Sequence, residues 1–239
     1  MNPHRLIALT LRTVLDVDAA VGAYGLHRLA PDAVIKAVQH IHRRENGGGP
    51  SQPIWQRIAV AVAVIVDTEQ TTEHILELTD NTAEHAILTA IADWLSDDTL
   101  TLIGWHIPAR LLSAVRCRAL RYADDGLTLG RWAAITDAKP AARLGPHRDV
   151  AAAFGWHHAT TPHTLARALG LMAPAPLSAD HINAAWQRGD RHVLVDDARG
   201  EAACVLALYR RCVLIAQDAT SFNTPLLRYE QAVLGRMTP

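Results

Sequence analysis

Residues 58–66 read Ile-Ala-Val-Ala-Val-Ala-Val-Ile-Val, the strongest strand signal in the sequence. Period-2 alternation puts Ile58, Val60, Val62 and Val64 on one face and Ala59, Ala61 and Ala63 on the other. Both faces are apolar, so the segment reads as a central strand covered on two sides. Thr72 to Leu78 alternates and follows as its hairpin partner. Upstream, Leu6 to Leu15 (LIALTLRTVL) alternates well enough for another strand, and Leu100 to Trp105 for a short one.

The remaining segments read as helices. Pro31 to Arg43 carries Ala33, Val34, Ala37, Val38 and Ile41 at helical spacing, with Pro31 in the first turn. Asn81 and Glu84 resemble a capping box opening a helix with Ala83, Ile87, Ala90, Ile91, Trp94 and Leu95 inward. Pro108 opens a helix running to about Tyr122, and Asp124-Asp125-Gly126 is a turn. From Asp149 onward the pattern is helical: His163–Leu169 stops at Gly170, Ala179–Arg188 stops at Gly189, a long segment spans Asp197–Gln217, and a last helix starts at Thr224-Pro225. Strands first, then a strand–helix unit, then helices, predict an α/β mixed sheet with helices on both faces and a helical C-terminal part.

Composition narrows the function. The 239 residues, 49% apolar and 20% charged, suffice for a sizeable core and exclude intrinsic disorder. One domain over 1–239 is expected. With 23 basic and 24 acidic residues the formal charge is −1, which gives no global attraction to nucleic acid. No run reaches the ~18 apolar residues of a membrane helix, and Met1–Thr13 lacks a signal peptide's apolar block. Cys117, Cys204 and Cys212, odd in number and without CxxC spacing, argue against a disulfide framework or zinc ribbon. A cytoplasmic protein without membrane contact is expected. Lys36 and Lys139 are the only lysines, so arginine abundance by itself says little about phosphate binding.

Several segments in this order resemble the predicted 3′–5′ exonucleases related to the proofreading domain of family B DNA polymerases, over about residues 6–216. That family has a ribonuclease H-like fold and four acidic residues (DEDD) in three motifs. Leu9-Thr10-Leu11-Arg12-Thr13-Val14-Leu15-Asp16 is similar to its first motif, F-D-I-E-T-V-P-D, with Thr10 and Arg12 where the Asp and Glu stand. Gln56-Arg57-Ile58-Ala59-Val60-Ala61 is similar to its second strand. Gly104-Trp105-His106 and Arg118-Ala119-Leu120 resemble the second motif, W-N-x-x-x-F-D-L-P-V-L-x-x-R-A-L, and place Leu111, or Arg110 after a one-residue shift, at its metal-binding Asp. His147-Arg148-Asp149-Val150 looks like H-x-D-L, and Leu165–Leu171 resembles the helix ending in leucine-glycine. Trp186-Gln187-Arg188-Gly189 and Glu201 to Arg210 resemble the third motif, Y-C-x-x-D-V-x-x-T-x-x-L-Y-x-R, with Glu201 at the Asp and Asp197 at the Tyr.

Two-metal phosphodiester cleavage needs carboxylates converging on cations about 3.5–4 Å apart. Thr10 offers a hydroxyl, and Arg12 a permanent positive charge; two like charges 4 Å apart cost about 4 kcal/mol at an effective dielectric of 20. No acidic residue occurs between Thr99 and Tyr122, so no register supplies the second motif's ligand. The resemblance therefore implies an exonuclease-like protein without an intact metal site or catalytic set, using no cofactor and serving as a single-stranded nucleic-acid-binding or protein-interaction module. One alternative is an active Mg²⁺- or Mn²⁺-dependent exonuclease using displaced acids: Asp67 and Glu69 of the Asp67-Thr68-Glu69 turn, Asp93, Asp149 and Glu201. Another is a structural subunit for a protein partner.

Other residues have a functional and a bland reading. Arg110, Arg116, Arg118 and Arg121 follow the second motif; Arg110, Arg118 and Arg121, with His106, are the candidate phosphate-tracking surface, against a solvated helix face. Trp105, Trp156 and Trp186 read as core before base-stacking platforms. His157-His158 with His163, and His40 with His42, lack the ligand spacing of a metal site. Gly47-Gly48-Gly49 lacks the GK[S/T] ending of a phosphate loop and precedes a strand.

Overall fold

The computed structural model describes residues 5–46, 53–79, 83–129, 147–154, 160–215 and 223–236. The predicted capping residue Asn81, the triple glycine, Trp156, His157 and His158 lie outside them. Five strands form one mixed sheet: β1 (Arg5–Leu15), β2 (Gln56–Val66), β3 (Thr71–Glu77), β4 (Leu100–Gly104) and β5 (His147–Asp149). Their order is β3-β2-β1-β4-β5. The first three are antiparallel neighbours, while β4 and β5 run parallel to β1. The sheet is thus α/β and mixed, as the sequence pattern and the resemblance both imply.

Helices cover both faces. On one lie α3 (Glu84–Ser96) and α4 (Leu112–Leu120), packed on Ile7, Leu9, Ala61, Ala63 and Leu102. On the other lie α5 (Val150–Ala153), α6 (Pro162–Ala168), α7 (Ala179–Arg188), α8 (Arg191–Ile215) and α9 (Asn223–Leu234), packed on Leu6, Ala8, Val62 and Val64. The mid-part of α8 is buried, and its alanines Ala198, Ala202, Ala203 and Ala207 let it lie close to the sheet. Among the described residues no helix is long and apolar enough to cross a membrane.

The expected alternation of β2 fails at one point. Arg12 pairs with Val60 but Thr13 with Ile58, so Ala59 is the extra residue of a β-bulge. The bulge turns Ala59 toward the face of Val60, Val62 and Val64, and sends Ile58 to the side of Ala61 and Ala63. β1 keeps its alternation, so Leu6, Ala8, Thr10, Arg12 and Val14 share the face covered by α8.

Between β1 and β2 the chain makes an excursion through α1 (Val17–Tyr24) and α2 (Pro31–Asn46). The pattern around α2 was legible, but α1 was not anticipated. Asp16 caps α1, its carboxylate accepting from the Ala19 amide at 3.1 Å, and Gly25 closes it at φ 65°. The helix predicted from Pro108 begins instead with a wide turn of π type, Ile107–Leu111, before α4.

Glu84 corrects the capping-box expectation. Ala83 is the N-cap of α3 and makes no side-chain cap bond. The Glu84 carboxylate is buried and accepts from Ile58 N at 2.7 Å, from Arg118 Nε at 2.9 Å and from the Tyr122 hydroxyl at 3.1 Å. Arg118 also reaches Asp16 at 2.8 Å. One buried guanidinium therefore ties α4 to α3 and to the entry of α1. Burial would raise the Asp16 carboxyl, but the Ala19 amide and the charges of Arg118 and Arg121 hold it below the usual carboxylate range.

Arg118→Ala leaves the buried Glu84 carboxylate without its cation and Asp16 with the half-exposed Arg121 alone, and is expected to lower unfolding stability by about 3–5 kcal/mol in urea titrations. The Asp16 contribution is present above its unfolded value near 3.8 and is lost as pH falls below it. The wild-type excess over Asp16→Asn should therefore shrink between about pH 4 and 2.

Candidate functional site

The end of the sheet nearest the β2 bulge opens into a cavity of about 800 Å³. Its floor is β1, with Thr10 and Arg12. One wall is α2, with Ile35, Val38, Gln39 and His42; the facing wall is the stretch from Pro176 to Asn183. Arg110 and Leu111 of the π turn close one side, and Asp197 and Glu201 of α8 complete the floor. Thr10, Arg12, Leu111 and Glu201, far apart in sequence, thus line one cavity.

The chemistry of that floor follows from the strand and helix periods. Thr10 and Arg12, two apart on β1, face α8, and Asp197 and Glu201, four apart on α8, face β1. Thr10 Oγ1 donates to the Ala198 carbonyl at 2.9 Å. Arg12, 5% exposed, donates Nε to the Asp197 carboxylate, Nη2 to the Asp197 carbonyl at 2.8 Å, and Nη1 to Leu11 O at 2.9 Å and to Glu201 Oε2 at 2.8 Å. Asp197 Oδ1 accepts in turn from the Leu177 amide at 2.9 Å, which joins the facing wall to the same triad.

Each charge is held by the others. Burial would lower the Arg12 guanidinium, but Glu201 and Asp197 raise it above its ordinary value, so it stays charged. Burial would raise Glu201; Arg12, Arg110 and the His163 ring lower it below the ordinary range, so it stays ionised. Cys204, farther along α8, is pushed up to about 12 by burial and remains a thiol, without the thiolate needed for attack. His163 of α6, 1% exposed, also lines the cavity, and neither ring nitrogen has a hydrogen-bond partner among the described residues. Burial holds it below the ordinary imidazole range, with Glu201 pulling upward and Arg12 pushing down.

This donor set does not fit a pair of divalent cations. Two carboxylates are present, but their inward oxygens are engaged by a tethered cation, which offsets part of the negative charge that would draw a metal. Thr10 is committed to Ala198, and Leu111 offers no oxygen. Among the described residues no three His, Cys, Asp or Glu side chains stand where they could hold a metal ion together.

Of the alternative acids considered from sequence, Glu201 lies on this floor and the other four line no part of the cavity. Asp67 and Glu69 follow the far end of β2, on the order of 30 Å along the strand from Gln56 at the cavity. Asp67 Oδ1 accepts from the amides of Glu69 and Gln70, which makes it a turn residue. Asp93 is exposed on α3. Asp149 caps α5 and accepts from Ala151 N, His106 N and Ile107 N at 3.0–3.1 Å. It thereby holds His106 at φ 52°, a left-handed conformation costly for a non-glycine residue, and launches the π turn.

The proposed phosphate surface breaks up as well. Arg118 is buried between Glu84 and Asp16, and Arg121 is drawn onto Asp16 at 2.9 Å. His106 stacks edge-on against Trp105 and does not line the cavity. Arg110 alone of the four reaches the cavity, exposed at its rim. Trp105 is core, its indole N–H donating to Thr160 O at 2.9 Å, and Trp186 is half-buried with Arg191 stacked 3.4 Å from its ring centroid. His42 is buried beside Tyr24 and Trp55, while His40 is exposed.

Sequence reasoning missed the partnership of Asp197 with Arg12, the inward His163 and the α2 wall. A signal for the first existed: a lone arginine on the apolar face of a strand demands carboxylates, and Asp197 and Glu201 carry one-turn spacing.

No family model and no curated protein matches the chain. Among solved structures it is similar to the family B DNA polymerase of the hyperthermophilic archaeon Pyrobaculum calidifontis, at 12% identity and a TM-score of 0.58. The alignment covers 97% of this chain and 27% of the polymerase chain. At that identity the likeness establishes a shared fold, and the chain spans about a quarter of its neighbour's length.

Arg12→Ala is expected to cost about 3–5 kcal/mol in urea unfolding, since it strands two buried carboxylates. Adding Asp197→Asn and Glu201→Gln should restore part of the loss, a non-additivity of about 1 kcal/mol or more. For His163 the folded state favours the neutral ring, so stability falls as pH drops below the unfolded value of 6.5. His163→Leu should flatten that slope and at pH 7 be neutral or stabilising by up to about 1–3 kcal/mol, because it removes two unpartnered polar atoms.

Proposed function

We propose that this protein is an exonuclease-like domain that does not hydrolyse phosphodiesters and keeps its cleft for binding a protein partner. The observation that carries this reading is the Arg12 guanidinium bonded to both Asp197 and Glu201 at the floor of the cleft. A hydrolytic site of this class needs negative oxygens open to two cations; here a fixed cation bonds both carboxylates from inside and offsets one of their two charges.

The choice of partner rests on the charges around the cavity. Among the described residues its charged lining is Arg12 and Arg110 against Asp180, Asp197 and Glu201, which offer no excess of positive charge to a polyanionic strand. Its walls are otherwise apolar side chains and amides, such as Ile35, Val38, Leu177, Gln39 and Asn183, which suit a polypeptide segment. Single-stranded nucleic acid, the other partner considered from sequence, has Arg110 as its one favourable contact among the residues expected to bind it.

Purified protein incubated with 3′-labelled single strands and Mg²⁺ or Mn²⁺ should leave them at full length, and neither ion should raise the unfolding midpoint, since a ligand bound only by the folded state stabilises it by RT ln(1 + [L]/Kd). Metal-dependent shortening that disappears in Glu201→Gln would overturn the non-hydrolytic reading. Salt-sensitive strand binding abolished by Arg110→Ala would replace the protein partner with nucleic acid.

A further inference from the structure

We propose that α1 and α2 form a hinged cover over the cavity, latched to α7 by two polar side-chain contacts, so that a partner reaches the Arg12 floor only when the cover swings out. The inference needs no assumption about hydrolysis and applies to whatever ligand enters the cleft.

The excursion has its own small core. Ala20, Val34 and Val38 bury one another with help from Leu15, Val17, Val21, Tyr24 and Leu26, as a cluster separate from those on the two faces of the sheet. A segment whose apolar contacts are mostly internal can move as a unit, because swinging it exposes little of the main core. The inner side of α2 nevertheless forms a full wall of the cavity, so the position of that unit decides how open the cleft is.

Across the mouth, α2 meets α7 through side chains. Gln39 Nε2 donates to Asp180 Oδ1 at 3.0 Å, and Gln187 Nε2 donates to Asp32 Oδ1 at 3.1 Å. Both bonds lie in solvent-exposed positions, where water competes for the same groups and leaves each bond a modest net contribution, small beside that of a buried ion pair. The root of the excursion is fastened far more strongly. Asp16 is clasped by Arg118 and Arg121, and its amide donates to Trp55 O at 2.9 Å, where the excursion returns to β2. Next to Trp55 the Tyr24 ring packs at 5.1 Å between centroids. A firm root and a lightly bonded free edge are the mechanical features of a hinge and latch.

Native-state hydrogen exchange on the full chain tests this. Amides of α2 should exchange through a local opening, faster than those of β1, β2 and α8, which should wait for global unfolding. Gln39→Ala/Gln187→Ala should speed α2 exchange by about 5- to 150-fold, the range for losing two net hydrogen bonds, without changing the rates in β2 and α8. Lys36→Ala, on the exposed side of α2, controls for helix propensity and should leave α2 exchange within about twofold of wild type. If wild-type α2 exchanges only together with the sheet, or if the double variant leaves α2 unchanged, the cover does not exist. The wild-type comparison decides the matter even if the double variant fails to fold.

Discussion

A guanidinium cannot be buried alone. Moving a charge out of water costs several kcal/mol even after relaxation, and only well-placed counter-charges offset it. Arg12 meets this constraint with two carboxylates and two backbone carbonyls, and in doing so fixes how α8 lies on the sheet. Asp197 passes the constraint on to the Leu177 amide, which sets the facing wall. Thr10, two residues earlier on the same face, adds a bond to α8 at Ala198. The floor of the cleft is thereby a rigid polar knot inside an otherwise apolar layer, and its charge state decides which chemistry the cleft can support.

A second buried guanidinium organises the opposite layer. Arg118 joins Asp16, at the end of β1, to Glu84, at the start of α3, and Glu84 in turn accepts the Ile58 amide beside the bulge of β2. Both knots thus converge on the same end of β1 and β2. The backbone irregularities cluster there as well: the bulge at Ala59, the left-handed His106 and the π turn that presents Arg110 and Leu111. Regular strands carry the core, and the departures from regularity shape the cleft.

Much of this was legible residue by residue. IAVAVAVIV could be nothing but a doubly covered strand, and the glycines after Arg188 and Leu169 marked turns that the structure places at φ 79° and 74°. Thr72 to Leu78 did pair with β2. The failures share one cause. Ile58 and Ala59 were assigned faces by strict alternation, which a bulge breaks without leaving a mark in composition. Glu84 looked like a local cap and Arg118 like a solvated helix face, because their partners lie 34 residues apart in the chain. Local patterns read out local bonds; a charge whose partner is remote looks unsatisfied until the chain is folded.

The sequence by itself determined the alternating strands, the amphipathic helices and the placing of a hydroxyl, Thr10, and a cation, Arg12, on one face of β1, since periodicity and side-chain chemistry are properties of neighbours. Only the tertiary structure decided that Arg12 would find Asp197 and Glu201 across 185 and more residues, that Asp67 would end up at the wrong end of its strand, and that α2 would stand over the cavity. The physical reason is that burial and low dielectric, which make those charge pairings obligatory, exist only once the layers have closed around them.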